Sequence, residues 1–398
     1  MNIQLSERIN NLSESQTLAM TRMSRELRAK GKDIISLSIG EPDFDTPEPI
    51  KQAAIEAINQ NFTHYTPVPG IPELRRAIAN KLKRDNNLDF SPSQIVVSTG
   101  AKQSLANVAL ALLNPGDEVL LPAPYWVSYK EIIKLAEATP IEIQTSIEND
   151  FKVTAEELEK AITPKTKMIW YSSPCNPSGS VYTKEELRQI AQVIKKYPHI
   201  TVISDEIYEL INFSSKHESI AQFEEIKDQV ILVNGVSKGF AMTGWRIGYI
   251  AAPQAIADAC TKMQGQVTSG ANSIAQKAAV KAMKLNPEEM NYMKSAFQAR
   301  RDKCIAWLKE IESIKVNEPQ GAFYLFPDVS AFFGKKYENY SIENATELAM
   351  YLLHEAHVAT VTGEAFGDKN CIRLSYAASE EVLKEAIDRI GKALAKLQ

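Results

Sequence analysis

The sequence has little of what builds disulfide scaffolds, metal centres or membrane anchors. Its four cysteines stand at 175, 260, 304 and 371. They show neither disulfide nor metal spacing, which suits a reducing compartment. His354 and His357 lie three apart on a helical stretch, but no third ligand stands nearby. They read as structural, and no metal is expected. No apolar run approaches the roughly 20 residues of a membrane-spanning helix. The opening Met1-Asn2-Ile3-Gln4-Leu5-Ser6-Glu7-Arg8 lacks the basic-then-apolar order of a signal peptide. The expectation is a cytoplasmic protein with no membrane partner. A charge excess of one sign is also missing. The net charge is −4, so no nucleic-acid partner is expected. There are no repeats or low-complexity linkers. No Gly-x-Gly-x-x-Gly follows a strand, which disfavours a nicotinamide dehydrogenase.

What is present is an ordinary globular composition, 44% hydrophobic over 398 residues. That length can bury a large core and suggests two domains. Short apolar runs at 95–97, 118–121, 139–144, 167–172, 201–205, 230–234 and 246–251 lie between helical patterns. Thr154-x-x-Glu157 and Thr183-x-x-Glu186 read as capping boxes that open helices. The alternation predicts an α/β fold with a mostly parallel sheet. From about 253 to 310 the pattern is helical. After Gly321 come strands, a helix, a strand at 371–376 and a final helix.

The most informative stretch is Ser237-Lys238-Gly239-Phe240-Ala241-Met242-Thr243-Gly244-Trp245-Arg246-Ile247-Gly248. One lysine sits among small residues, with an arginine eight positions on. Lysine suits Schiff-base chemistry with a carbonyl cofactor, and arginine's planar fork matches a phosphate. A solvated lysine and a surface ion pair would look the same on spacing alone. Three further stretches bear on the choice. Ser173-Pro174-Cys175-Asn176-Pro177-Ser178-Gly179 marks a turn at the end of a buried strand, where open α/β sheets bind ligands. Thr201-Val202-Ile203-Ser204-Asp205-Glu206-Ile207-Tyr208 ends a β-branched strand in an acid, with a tyrosine three residues on; a helix cap would also explain the Asp. Ser98-Thr99-Gly100-Ala101-Lys102-Gln103 opens a helix with small residues whose free N–H groups suit a phosphate.

In this order, and with the late Arg373-Leu374-Ser375-Tyr376, the stretches resemble the class I/II aminotransferases of pyridoxal-phosphate fold type I. The resemblance runs from about Ile35 to about Arg389. Gly40-Glu41-Pro42-Asp43-Phe44 and Pro124-Tyr125-Trp126-Val127-Ser128-Tyr129 are similar to the bacterial subgroup of aspartate aminotransferases. The resemblance implies pyridoxal 5'-phosphate as cofactor and an amino-group exchange between a dicarboxylic amino acid and 2-oxoglutarate. It implies that Lys238 holds the cofactor and then serves as general base, and that Asp205 faces the pyridine nitrogen. Tyr208 and Asn176 would bond the phenolic oxygen, and Trp126 would stack on the ring. The backbone at Gly100, Ala101 and Lys102, with Ser237 and Arg246, would hold the phosphate. Arg373 and the backbone at Gly40 would take the substrate's α-carboxylate.

The resemblance also implies a homodimer in which Tyr65 crosses to the partner's site. A large cofactor domain would span 48–291, and a small domain would combine 1–47 with 292–398. Better-known relatives grip the distal carboxylate with a partner arginine, but no arginine lies between Ile247 and Ala299; Lys102 is the expected replacement. Ser13 stands where aspartate/prephenate relatives carry a lysine, so prephenate activity is expected to be weak. Other specificities (prephenate, aromatic, alanine) or a β-lyase stay open within this chemistry. A transcription regulator would need a basic helix-turn-helix ahead of residue 30, where only a short helical segment is read.

Overall fold

The computed structural model describes every residue except Met1, Asn2 and Ser215. Its centre is a seven-stranded sheet: β1 (Ile95–Ser98), β2 (Glu118–Ala123), β3 (Thr139–Gln144), β4 (Thr166–Ser172), β5 (Thr201–Asp205), β6 (Val230–Gly235) and β7 (Gly248–Ala251). The spatial order is β1-β7-β6-β5-β4-β2-β3. Only β7 runs antiparallel to its neighbours. Strand side chains alternate between faces, and both faces are covered. Ile169 and Tyr171 of β4, Val202 of β5 and Leu232 of β6 join one apolar layer. Met168 and Trp170, Ile203, and Ile231 and Val233 join the other.

Helix α1 (Gln16–Ala29) packs against the C-terminal part around Leu353 and Ala359, and the helices that cover the sheet are α2 (Pro72–Lys81), α3 (Ala101–Leu112), α4 (Ser128–Leu135), α5 (Lys184–Lys195) and α6 (Gln254–Val267). Both capping boxes form as read, with Thr154 accepting from the Glu157 N–H and Thr183 from the Glu186 N–H. Helix α5 packs Leu187, Ile190 and Ile194 on the first layer. Helices α3, α4 and α6 pack Leu105, Ile133 and Cys260 on the second. Each buried aliphatic side chain contributes on the order of 1.5–3 kcal/mol.

The crossover through α4 leads from β2 outward to β3, whereas that through α5 leads from β4 the other way to β5. The crevice at such a reversal, outside the carboxyl ends of the strands, is where open α/β sheets bind ligands. Residues 321–376 add a three-stranded antiparallel sheet of Val361–Thr362, Ile372–Ser375 and Tyr324–Leu325. The N-terminal segment joins this part: Ile35–Ser36 pairs in parallel with Val358–Ala359.

Two expectations need correction in detail. The run 246–251 is a strand only from Gly248, because Arg246 takes a left-handed conformation (φ 56). The stretch Leu352–Ala356 is a π turn closed by a left-handed His357, so His354 and His357 do not share a helical face.

Candidate active site

Five strand ends meet at the crevice. β1 leads to Gly100 and Ala101, β2 to Trp126, β4 to Asn176, β5 to Asp205 and Tyr208, and β6 to Ser237 and Lys238. Arg373 arrives from Ile372–Ser375 and Gly40 from the N-terminal segment. All the residues that the resemblance gives to the cofactor or the substrate line one cavity of about 320 Å³, except Gly100 and Tyr65. Gly100 stands behind it at φ +83, where a Cβ would meet the Arg246 guanidinium at 2.2 Å. Only glycine permits that approach. Tyr65 is fully exposed (103%), outside the cavity of its own chain.

Lys238 is half-buried, and its amine donates to the Gly40 carbonyl at 2.6 Å. Burial lowers its pKa to about 8, with Arg373 and Arg246 pushing the same way and Glu41 opposing them. A pKa lowered in this way makes the neutral amine far more accessible than that of an ordinary lysine. Asp205 is 3% exposed, and burial raises its pKa to about 6. The Tyr129 hydroxyl donates to its Oδ2 at 2.7 Å and the Ile207 N–H to its Oδ1 at 3.2 Å, and both work against that rise. The capping contact and the cavity contact therefore coexist, one on each oxygen.

Arg373 is buried and donates to Asn176 Oδ1 at 2.9 Å and to the Ser38 carbonyl at 2.6 Å. Tyr324 and Phe366 flank its guanidinium, with ring centroids 4.5 and 4.9 Å away. Its Nε has no partner among the described residues. A buried guanidinium held by two neutral acceptors lacks a counter-charge. Tyr208 and Tyr324 share a hydrogen bond between hydroxyls at 2.8 Å. A Cβ at position 40 would meet that Tyr324 hydroxyl at 2.2 Å. The Lys102 amine lies 4.9 Å from the Trp126 ring centroid. Burial first, then Arg246, lowers its pKa.

The balance of charge is lopsided. Lys102, Lys238, Arg246 and Arg373 face a single carboxylate, Asp205. Such a cavity is built for an anionic occupant.

Sequence reasoning assigned no role to Tyr129, Tyr324 or the α1 residues Thr17 and Leu18, all of which line the cavity. Tyr129 had a signal, since it lies only three residues after Trp126 where α4 begins, and the two rings meet edge to face at 5.6 Å. Tyr324 had none, because its partner Tyr208 is 116 residues away.

The family model for aminotransferases of class I and II matches residues 32–390. The chain belongs to that family. This aminotransferase is 49% identical over 403 residues to the bifunctional aspartate aminotransferase and glutamate/aspartate-prephenate aminotransferase of Petunia hybrida, covering 100% of this chain and 84% of the relative. It is 46% identical to a probable aspartate/prephenate aminotransferase of Rickettsia felis, over 98% and 96% of the two chains. Among solved structures it superposes on the aspartate aminotransferase from Rhizobium meliloti with a TM-score of 0.97, at 40% identity over the whole of both chains. The Thermus thermophilus aspartate aminotransferase with maleate gives 0.92, at 38% identity over 98% of this chain and 100% of that one. The enzyme is a transaminase that depends on pyridoxal phosphate. The site fits that group: Arg246 stands at the N-terminus of α3 where Gly100 clears its path, a lysine offers an available amine, and one buried carboxylate lies among cations.

Proposed function

We propose that this aminotransferase moves the amino group of L-aspartate to 2-oxoglutarate, giving oxaloacetate and L-glutamate. The observation that carries the reading is the set of four cations lining the cavity. Arg246 is taken by a phosphate and Lys238 by a carbonyl carbon. Arg373 and Lys102 remain, one for each carboxylate of a dicarboxylic substrate. The names of the Petunia and Rhizobium relatives and the maleate of the Thermus relative support the same chemistry.

Pyridoxal phosphate, when bound, supplies an electron sink for the carbanion left by loss of an α-proton. In our reading Lys238 would hold the group and then, as a free amine, would carry the α-proton from the substrate's α-carbon to the cofactor's C4′ carbon, on the other side of the shared nitrogen. Asp205 is the anion for the ring nitrogen, and Tyr129 holds it in place. Tyr208 and Asn176 take the phenolic oxygen, and Trp126 covers the ring face. The backbone of Gly100, Ala101 and Lys102, with Ser237 and Arg246, cradles the phosphate. Arg373 and the Gly40 backbone take the α-carboxylate, and Lys102 takes the distal one. The exposed Tyr65 supports a homodimer in which that residue completes the partner's site. The four buried free thiols fit a reducing cytoplasm. We place the large domain at 48–291 and the small domain at 1–47 with 292–398; the pairing of Ile35–Ser36 with Val358–Ala359 supports that division.

The test is a panel of amino donors against 2-oxoglutarate. Aspartate should exceed alanine and aromatic donors by about tenfold or more in kcat/KM, as a paired charge in the pocket requires. A donor with a neutral side chain outrunning aspartate would overturn the reading. Prephenate should be aminated weakly, because an exposed serine, not a lysine, stands at position 13.

A further inference from the structure

The turn after β5 points two ways. Asp205 and Tyr208 line the cavity. Glu206 and Glu209, each one residue further on, reach an ionic cluster that does not line it. Glu206 is 1% exposed. It accepts from Ser204 at 2.9 Å and Ser219 at 2.6 Å on one oxygen, and meets His217 Nε2 at 2.8 Å on the other. Glu209 accepts from Lys81 and from Asn86, the latter at 3.1 Å. Lys81 closes α2, and the π turn Leu82–Asn86 that follows brings Asn86 to its amine at 2.9 Å. Asp85 lies 3.8 Å from Lys81 and pairs with Arg84.

Ligand atoms of Glu206, Glu209 and His217 lie within 4.8 Å of one another, but the Lys81 ammonium is already the cation of this cluster. Arg84 balances Asp85 and Lys81 balances Glu209. That leaves Glu206 against His217, both buried. A neutral imidazole would leave Glu206 uncompensated beside Asp205, and an unpaired buried charge is costly. His217 Nδ1 has no partner among the described residues in either charge state, so hydrogen bonding does not decide the matter and charge does.

We propose that His217 is a positioning residue of the active site: as an imidazolium it neutralises Glu206, fixes the turn that carries Asp205 and Tyr208, and so keeps Asp205 an anion. The surroundings agree. Burial alone would lower the imidazole's pKa, but Glu206, and Glu209 behind it, outweigh burial and Lys81 and hold it above the ordinary histidine value. Glu206 in turn is one of the groups that push Asp205 upward, and a balanced Glu206 pushes less. The inference rests on Asp205 being the cofactor's anionic partner.

Two measurements test it. Imidazole ¹⁵N spectra of the holoenzyme should show His217 doubly protonated at pH 7, and titrating at a lower pH in Glu206→Gln. A neutral His217 at pH 7 overturns the proposal. Titration of the cofactor-free protein with pyridoxal phosphate across pH should show affinity falling on the acid side. His217→Gln should move that acid limb upward by about half a pH unit or more, and Glu206→Gln/His217→Gln should bring it back. Equal weakening by His217→Gln at every pH, or no recovery in the double variant, marks a merely structural histidine and also overturns the proposal. Asp205→Asn separates the two claims: persistence of the parent's limb in that variant removes the role given to Asp205, while the spectra still judge the charge on His217.

Discussion

Two buried carboxylates, Asp205 and Glu206, follow one another at the end of β5, and the chain surrounds them differently. Glu206 has three side-chain partners, one of them a histidine, and with His217 charged, as proposed above, its cluster balances its own charges. Asp205 has one tyrosine hydroxyl and one backbone N–H, and burial lifts its pKa to about 6. The cations around it are spread over the wall of an open cavity. The carboxylate on the side of the turn away from the cavity is fully partnered without a ligand. The cavity side is left unbalanced, as functional sites commonly are. Asp205 closes β5 and Glu206 is the first residue beyond it, so successive side chains leave the strand end on opposite sides, and in the proposed reading one serves chemistry and the other stability.

Five variants probe that contrast. Lys238→Ala should give the largest effect, a loss of transamination on the order of 10⁴-fold, since it removes the proposed proton carrier; single-turnover rates with aspartate measure it. Asp205→Ala should follow, at about 10²-fold or more in kcat with the fold intact. Glu206→Gln should cost clearly less in kcat, and a loss equal to that of Asp205→Ala would erase the distinction between the two faces.

Stability should move the opposite way. Asp205 binds a proton more tightly folded than unfolded, so its burial is favourable at acid pH and that benefit disappears as pH rises through about 6. Cofactor-free Asp205→Asn should therefore be more stable than the parent at pH 8, by roughly 2–3 kcal/mol, and nearly equal to it near pH 4. Glu206→Gln should destabilise at pH 8 because it strips His217 of its partner. Urea unfolding at the two pH values reads both, and an Asp205→Asn variant that is less stable at pH 8 would contradict the assignment of strain to the cavity side. The smallest effect is expected at Lys102. Lys102→Ala should raise the KM for aspartate and glutamate by about tenfold while sparing alanine, because one ammonium forms a modest pair. Equal losses for all donors would mean that Lys102 serves the phosphate.

The central sheet was legible because its inner strands are buried on both faces and read as continuous apolar runs, such as Met168-Ile169-Trp170-Tyr171. The site was legible where the chemistry is local: Lys238, Arg246, Asp205 and Asn176 each sit at a strand end beside small residues or turn signals. Pairs distant along the chain were not. Tyr208 with Tyr324, Asp205 with Tyr129, and Glu206 with Lys81's cluster exist only because β5, α4 and α2 converge, and no periodicity encodes that. The left-handed backbone of Arg246 was hidden too, since the apolar run beyond it reads as strand from its first residue. Tyr65 could be singled out only by resemblance, and its side chain meets nothing of its own chain that would explain it.

The most direct test is the fate of the cofactor on the chain. Borohydride reduction of the holoenzyme, followed by peptide mapping, should place the added mass on the peptide carrying Lys238 and on no other. Label on Lys102, or on a lysine outside the cavity, would contradict the assignment of the four cations on which the proposed function rests.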